Sequence, residues 1–157
     1  MGAVSIGRPP AAIERAGLRD FRVIDRLVKE CFGRDAWTWL DILEALTLPG
    51  TIRLKAVAGD DVLGYVIGDR RSSRVGWIAS IGVRARARRR GVGRQLLLAA
   101  EHALGTPVVR LTLRPSNRAA LSLYQQLGYY QVEVWKRYYR DGEDGLVMER
   151  KASPAGW

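Results

Sequence analysis

Apolar positions along this chain change their period several times, and each change marks an element. Ile13-Glu14-Arg15-Ala16-Gly17-Leu18 alternates weakly and predicts a short strand. Phe21, Ile24, Leu27, Val28 and Cys31 then fall on one face of an amphipathic helix, with Asp20 placed to cap it. Cys31 lies on the buried face of that helix, as a packed thiol. Gly33-Arg34-Asp35 breaks the pattern, and Trp37 to Leu48 predicts a second short helix with Trp39, Leu40, Leu43 and Leu46 facing inward. Pro49-Gly50 ends it. Ile52 to Val57 alternates, Gly59-Asp60-Asp61 turns, and Val62 to Ile67 returns, which predicts a β-hairpin. After a second turn at Arg70-Arg71-Ser72-Ser73, Val75 to Val83 is more continuously apolar and therefore more central. Gly82 near its end marks a bulge or a close backbone approach.

The second half keeps this rhythm. A helix is predicted from Gly91 to Leu104, closed by Gly105, and a strand from Val108 to Leu113. Pro115-Ser116-Asn117 supplies a turn and a cap for a helix from Arg118 to Leu127, which Gly128 stops. Tyr129 to Trp135 is a strand, Lys136 to Gly142 a loop, and Gly145 to Glu149 a closing strand. The order β-α-α-β-β-β-α-β-α-β-β predicts an α/β domain (α+β in some schemes). It has a mixed, mostly antiparallel sheet of about seven strands with helices on both faces. The domain occupies 12–150, between a flexible tail over 1–11 and a disordered one over 151–157.

Composition narrows the class. A chain of 157 residues, 47% hydrophobic and 27% charged, is an ordinary globular domain able to bury a core. No apolar run approaches the ~20 residues of a membrane span, and the first residues lack signal-peptide architecture. The single cysteine forms no internal disulfide and no metal cluster, which favours the cytoplasm. The formal net charge of +10 allows a nucleic-acid partner, an anionic assembly such as the ribosome, or an anionic cofactor on a basic surface.

Candidate chemistry begins where the central strand ends. Residues 84–94 hold six arginines and no acid, with Gly91 and Gly93 just ahead of a helix. Unpaired N–H groups and the helix dipole make such a junction an anion site. The Walker pattern is absent, since no Gly-Lys-Ser/Thr follows. The dinucleotide fingerprint fails as well, for want of its third glycine and its ribose-binding acid. Arg88-Arg89-Arg90-Gly91-Val92-Gly93 does resemble the Arg/Gln-x-x-Gly-x-Gly/Ala loop of the GNAT superfamily of N-acetyltransferases, and the predicted element order is that superfamily's too. The resemblance implies that Arg88, Arg89, Arg90, Gly91, Val92, Gly93 and Arg94 cradle the pyrophosphate of acetyl-CoA. It also implies that Ile81, Gly82 and Val83 run beside the pantetheine arm.

A second stretch is similar to ribosomal-protein alanine N-acetyltransferases (the RimI-like group) and protein N-terminal acetyltransferases: Arg114-x-Ser116-Asn117-x-x-Ala120-x-x-x-Tyr124-x-x-Leu127-Gly128-Tyr129. By this resemblance Asn117 contacts the coenzyme and Tyr124 lies near the thioester sulfur as general acid. Lys136-Arg137-Tyr138-Tyr139, followed by Glu143-Asp144-Gly145, resembles the acceptor hairpin of the same group, where Glu-Asp-Ala is usual. Tyr138 and Tyr139 are thereby implied to hold the acceptor, with Phe32 and Trp37 as the opposite wall.

One position departs from the pattern. The residue two before Arg114, usually Glu or His in that group, is Thr112, whose hydroxyl cannot take a proton near neutral pH. A water held by Thr112, an acid such as Asp35, or no strong base at all are the open repairs. The last is feasible for an α-amine, which titrates at about 7.7–8.0; a lysine, at about 10.4, costs roughly 3–4 kcal/mol more to neutralise. His102, the only histidine, lies ~13 Å along its helix from the phosphate end and offers no rescue. The sequence therefore reads as an acetyl-CoA-dependent N-acetyltransferase acting on a protein N-terminus, with no metal. A small-amine or lysine acetyltransferase, or a basic nucleic-acid- or ribosome-binding module that has lost catalysis, are the alternatives.

Overall fold

The computed structural model describes residues 11–151. The strands are β1 (Ala12–Arg15), β2 (Thr51–Ala58), β3 (Asp61–Arg70), β4 (Val75–Val83), β5 (Val108–Leu113), β6 (Tyr130–Trp135) and β7 (Gly145–Lys151). The helices are α1 (Phe21–Phe32), α2 (Trp39–Thr47), α3 (Val92–Leu104) and α4 (Arg118–Gln126). All strands join one sheet ordered β1-β2-β3-β4-β5-β7-β6, antiparallel except for the parallel pair β4–β5.

The sheet is buried on both faces at its centre, as the continuous apolar run in β3 requires. Val66 packs with Leu96, Leu97, Leu104 and Leu111 on the side of α3 and α4. Its neighbours Tyr65 and Ile67 pack with Ile24, Leu27, Val28, Ile42 and Leu46 on the side of α1 and α2. Each fully buried aliphatic side chain contributes roughly 1.5–3 kcal/mol.

The feature that makes room for a site lies at the sheet's middle. Ile67 of β3 stands opposite Ser80, but Gly68 stands opposite Ile78, so Ala79 is an extra residue in β4. Pairing of β4 with β5 ends at Ile78 opposite Leu111. Such a bulge bends its strand, and Ala79 to Val83 keep β3 on one side with no strand on the other. The irregularity expected at Gly82 therefore falls at Ala79. Gly82 meets the other expectation, close approach: a Cβ there would stand 2.9 Å from Tyr65 Cε1 and 3.0 Å from Cys31 Sγ.

Three further expectations change. In α2 the buried residues are Ile42, Ala45 and Leu46, while Trp39 is 63% and Leu40 49% exposed. The helix starts from Thr38, whose side chain accepts from the Asp41 N–H at 3.3 Å, and this sets its phase. Asp20 does not cap α1 through its side chain; its carboxylate accepts from Lys55 Nζ at 2.8 Å and from the Gly17 N–H at 2.9 Å. At the chain's ends, Ala11 packs on the core and its carbonyl accepts from Gln95 Nε2 at 3.3 Å. Lys151 pairs with Val108 in the sheet. The rest of both predicted tails lies outside the described residues. Among the described residues no helix is long and apolar enough to cross a membrane.

Candidate active site

The unpaired edge of β4 points into the splay between β4 and β5. The Arg84 N–H donates to the Leu63 carbonyl at 2.8 Å, so Arg84 faces β3. By strand alternation Val83 and Ile81 turn their backbone groups the other way. The Val83 carbonyl accordingly accepts from Arg88 Nε at 3.0 Å and from the Cys31 thiol at 3.5 Å. Burial pushes the Cys31 thiol up from its ordinary value, so it stays protonated as a half-buried packing group.

At the end of this edge the chain turns through Arg89 (φ +61°) and Gly91 (φ +80°) into α3. Gly91 is the N-cap and no side chain caps the helix, so the first-turn N–H groups of Val92, Gly93 and Arg94 are available to an anion. The arginines divide. Arg86 pairs with Asp61 at 3.2 Å, and Arg88 is turned back onto Val83. Arg89, Arg90 and Arg94 are exposed around the turn. Gly93 abuts Val83 and Leu123 of α4, where a Cβ would make ordinary contacts of 3.6 and 3.7 Å. The phosphate-type loop, the open edge of β4 and α4 thus lie side by side.

A cleft of about 710 Å³ opens on the splay, and Phe32, Trp37, Ile81, Thr112, Asn117, Tyr124, Tyr138 and Tyr139 all line it. Gly82, Val83 and residues 88–94 lie outside its lining, on the loop side just described. Asn117 caps α4, its Oδ1 accepting from the Ala120 N–H at 3.2 Å. Tyr124, about two turns further along α4, is 7% exposed. Burial, with the neighbouring Tyr139 adding to it, pushes its phenol up to about 12. It therefore keeps its proton at any ordinary pH. Burial, followed by the neighbouring Tyr138 phenol, likewise lifts Tyr139 to about 12. His102 is exposed on α3, away from the cleft.

The hub of the cleft is a residue to which the sequence reading gave no role. Arg114 donates through Nε and Nη2 to both oxygens of Asp35, at 2.6 and 2.9 Å. Its Nη1 reaches Asp141 at 2.9 Å and Glu143 at 2.7 Å, and its guanidinium stands 4.1 Å over the Tyr139 ring. Glu143 in turn accepts from the N–H and the hydroxyl of Ser116, each at 2.8 Å. One side chain thus ties the α1–α2 loop, the β5–α4 turn and the β6–β7 loop together. Hydrogen bonds from Arg114 hold Glu143 below the usual carboxylate range; Asp141 is held low by the Glu143 N–H first and Arg114 second. Those hydrogen bonds, the one to Asp35 foremost, raise Arg114 itself. The available signal was the arginine two residues beyond the departure at Thr112, followed by acids at 141 and 143.

Both oxygens of Asp35 accept from Arg114. Thr112 Oγ1 is buried with no hydrogen-bond partner in the described structure. Its methyl occupies space that only a glycine leaves: a Cβ on Gly145 would lie 3.0 Å from Thr112 Cγ2 and 3.1 Å from Tyr138 Cδ1. The two departures from the family pattern, Thr112 and Gly145, are thus in contact and complementary in volume.

The model of the acetyltransferase (GNAT) family matches residues 21–129, and the chain belongs to that family. It is 33% identical to the N-alpha-acetyltransferase RimI of Mycobacterium tuberculosis, over 75% of this chain and 77% of that one. It is 40% identical to an N-alpha-acetyltransferase of Sulfurisphaera tokodaii over 46% of each chain. The matched part spans about half the length of the first curated relatives. The fold superposes on the ribosomal-protein-S18-alanine N-acetyltransferase from Escherichia coli with a TM-score of 0.82 and 22% identity, covering 92% of this chain and 96% of that one. At that identity the likeness is one of fold.

Proposed function

We propose that this protein transfers an acetyl group from acetyl-CoA to the N-terminal α-amine of a protein or peptide. One observation carries the reading: the open edge of β4 leads from an uncapped helix N-terminus into an aromatic cleft that holds a buried, protonated tyrosine. Coenzyme A fits these residues. The first-turn N–H groups of α3 and the exposed Arg89, Arg90 and Arg94 suit its phosphates, and the N–H groups of Ile81 and Val83 suit its amide-bearing arm. When bound, it supplies the acetyl thioester. Tyr124 holds a proton for the departing sulfur. Outward N–H groups of β4 donate to oxygen atoms that gain negative charge, a role worth about 3–4 kcal/mol per well-aimed donor. Phe32 and Trp37 on one side, and Tyr138 and Tyr139 on the other, contact the acceptor.

Arg114 holds Asp35, hydrogen bonds from Thr38 hold Asp41 below its ordinary value, and the hydroxyl of Thr112 cannot take up a proton near neutral pH. The acceptor must then arrive neutral, which favours an α-amine over lysine. The expected pH dependence follows. Below about pH 8 the neutral fraction of the amine grows with pH, so kcat/KM rises close to tenfold per unit and levels above it. Tyr124, pushed up to about 12, stays protonated across that range and adds no descending limb. A profile with its ascending limb near pH 5, independent of the peptide's own amine, would point instead to a carboxylate base.

Incubation with acetyl-CoA and short peptides, read by mass spectrometry, tests the reading. Labelling of lysine or polyamines in preference to free N-termini overturns the acceptor. Tyr124→Phe is expected to lower kcat by about 10²- to 10⁴-fold, the usual worth of a general acid, with coenzyme affinity little changed. Full activity in that variant removes the acid role. A cytoplasmic setting belongs to the proposal on the strength of the lone cysteine. So does proximity to ribosomal RNA, on the charge of +10. Stabilisation of the protein by RNA but not by coenzyme A would favour the binding-module alternative.

A further inference from the structure

The wall of the cleft nearest the β6–β7 loop is a row of four aromatic rings. Trp77 and Trp135 are stacked with centroids 5.7 Å apart and planes at 21°. Trp135 and Tyr138 are 5.1 Å apart, and Tyr138 meets Tyr139 edge-on at 5.0 Å. A guanidinium stands at each end, Arg71 at 4.9 Å from the Trp77 ring and Arg114 at 4.1 Å from that of Tyr139. All four rings line the cleft, and none belongs to either hydrophobic core cluster.

Aromatic rings in a sheet ordinarily find cover within the fold. Here Trp77 and Trp135 line the open cleft instead. The stacking and the capping guanidiniums fix the rings, so an incoming side chain meets a preformed surface and orders little on arrival. Phe32 and Trp37 face the same space from the α1–α2 side.

From this geometry we infer that the cleft selects acceptors carrying a large apolar or aromatic side chain in the first two residues, with Trp135 as the main discriminating surface. The inference rests on the proposed transfer to an α-amine and goes beyond it by naming the acceptor class. A small side chain such as alanine leaves the ring wall in water. A leucine, methionine or phenylalanine covers it.

The experiment uses the full chain, acetyl-CoA and two peptide sets, one varying the first residue and one the second through Ala, Ser, Lys, Leu, Met, Phe and Trp. The expected result is a preference of about 10- to 100-fold in kcat/KM for the large apolar residues at one of the two positions. Trp135→Ala is expected to reduce that preference several-fold, mainly through KM, while Trp135→Phe restores most of it. Coenzyme A should raise the melting temperature of both variants as it does that of the native protein. Should Trp135→Ala not fold, Trp135→Phe and the native preference still decide the matter. Equal rates across the panel, or a preference for Ala and Ser, overturn the inference and leave transfer to α-amines standing. If no peptide is acetylated while small amines are, both fall together.

Discussion

Gly91→Val is expected to abolish the rise in melting temperature that coenzyme A gives the native protein, and Gly93→Ala to preserve it. The glycines share a loop, but the structure separates them. Gly91 sits at φ +80° with open space around its missing Cβ, at the mouth of the helix. A β-branched residue there costs about 1–2 kcal/mol in backbone strain and fills the approach to the first-turn N–H groups. Gly93 is already helical, and its added methyl makes only ordinary contacts with Val83 and Leu123. Alanine at 93 should therefore fold as well as the native residue or slightly better, because alanine favours helices over glycine by up to about 1 kcal/mol. A ligand present at a hundred times its dissociation constant stabilises by about 2.7 kcal/mol, or roughly 5–10 °C in a domain of this size. That shift should be found in Gly93→Ala and missing in Gly91→Val, each read against its own ligand-free melting temperature. Equal shifts in both variants would remove the phosphate from this loop.

Arg114→Met is expected to be the most damaging single change on the acceptor side. It leaves Asp35, Asp141 and Glu143 facing one another without their shared cation. Peptide kcat/KM should fall by about 10²-fold, since three loops lose their common tether and a displacement of ~1 Å costs that much. The coenzyme thermal shift should persist, because the α3 turn is untouched. Stability should fall only modestly, because these groups remain partly exposed and their pairing is screened by water. The sign of the pH dependence is fixed. Asp141 and Glu143 are held below their ordinary values in the folded state, so their contribution is present above the usual carboxylate range and is lost as pH falls through it. The native protein should therefore lose stability on acidification below about pH 4.5, and Arg114→Met should lose less. Thermal melts from pH 7 to pH 3 measure both. Parallel loss in the two proteins would show that the tether carries no linkage.

How much of this was legible beforehand depended on distance along the chain. The strands from Thr51 to Val83, the helix after Gly91 and the Asn117 cap rest on local periodicity and on single turn residues, and they stand where the pattern put them. The face of α2 did not. A nine-residue helix with Trp39, Leu40, Ile42, Leu43 and Leu46 is apolar nearly all round, so the sheet beneath it decides which side is buried. The extra residue at Ala79 leaves no trace in residue type, because a bulge is a relation between two strands. The Arg114 network escaped for a similar reason: Asp35 is 79 positions away and Glu143 is 29. No sequence spacing announces that three loops meet. The aromatic wall was half visible, as Tyr138 and Tyr139, while Trp77 and Trp135 read as ordinary strand residues.

Ala79 has one more implication, for how this chain can change. Side chains along a strand alternate between faces, and a bulge takes up one extra residue without exchanging the two sets downstream. With Ala79 in place, Ser80 and Gly82 turn toward Tyr65 and Cys31, while Ile81 and Val83 join the opposite core. Without it, Ile78 and Ser80 would follow one another opposite Gly68 and Ile67, and β4 could stay in step with β5 to its end, closing the gap. The position is therefore permissive about which small residue occupies it and strict about whether one is there. Descendants of this chain are free to drift in spelling at 79, but not in length.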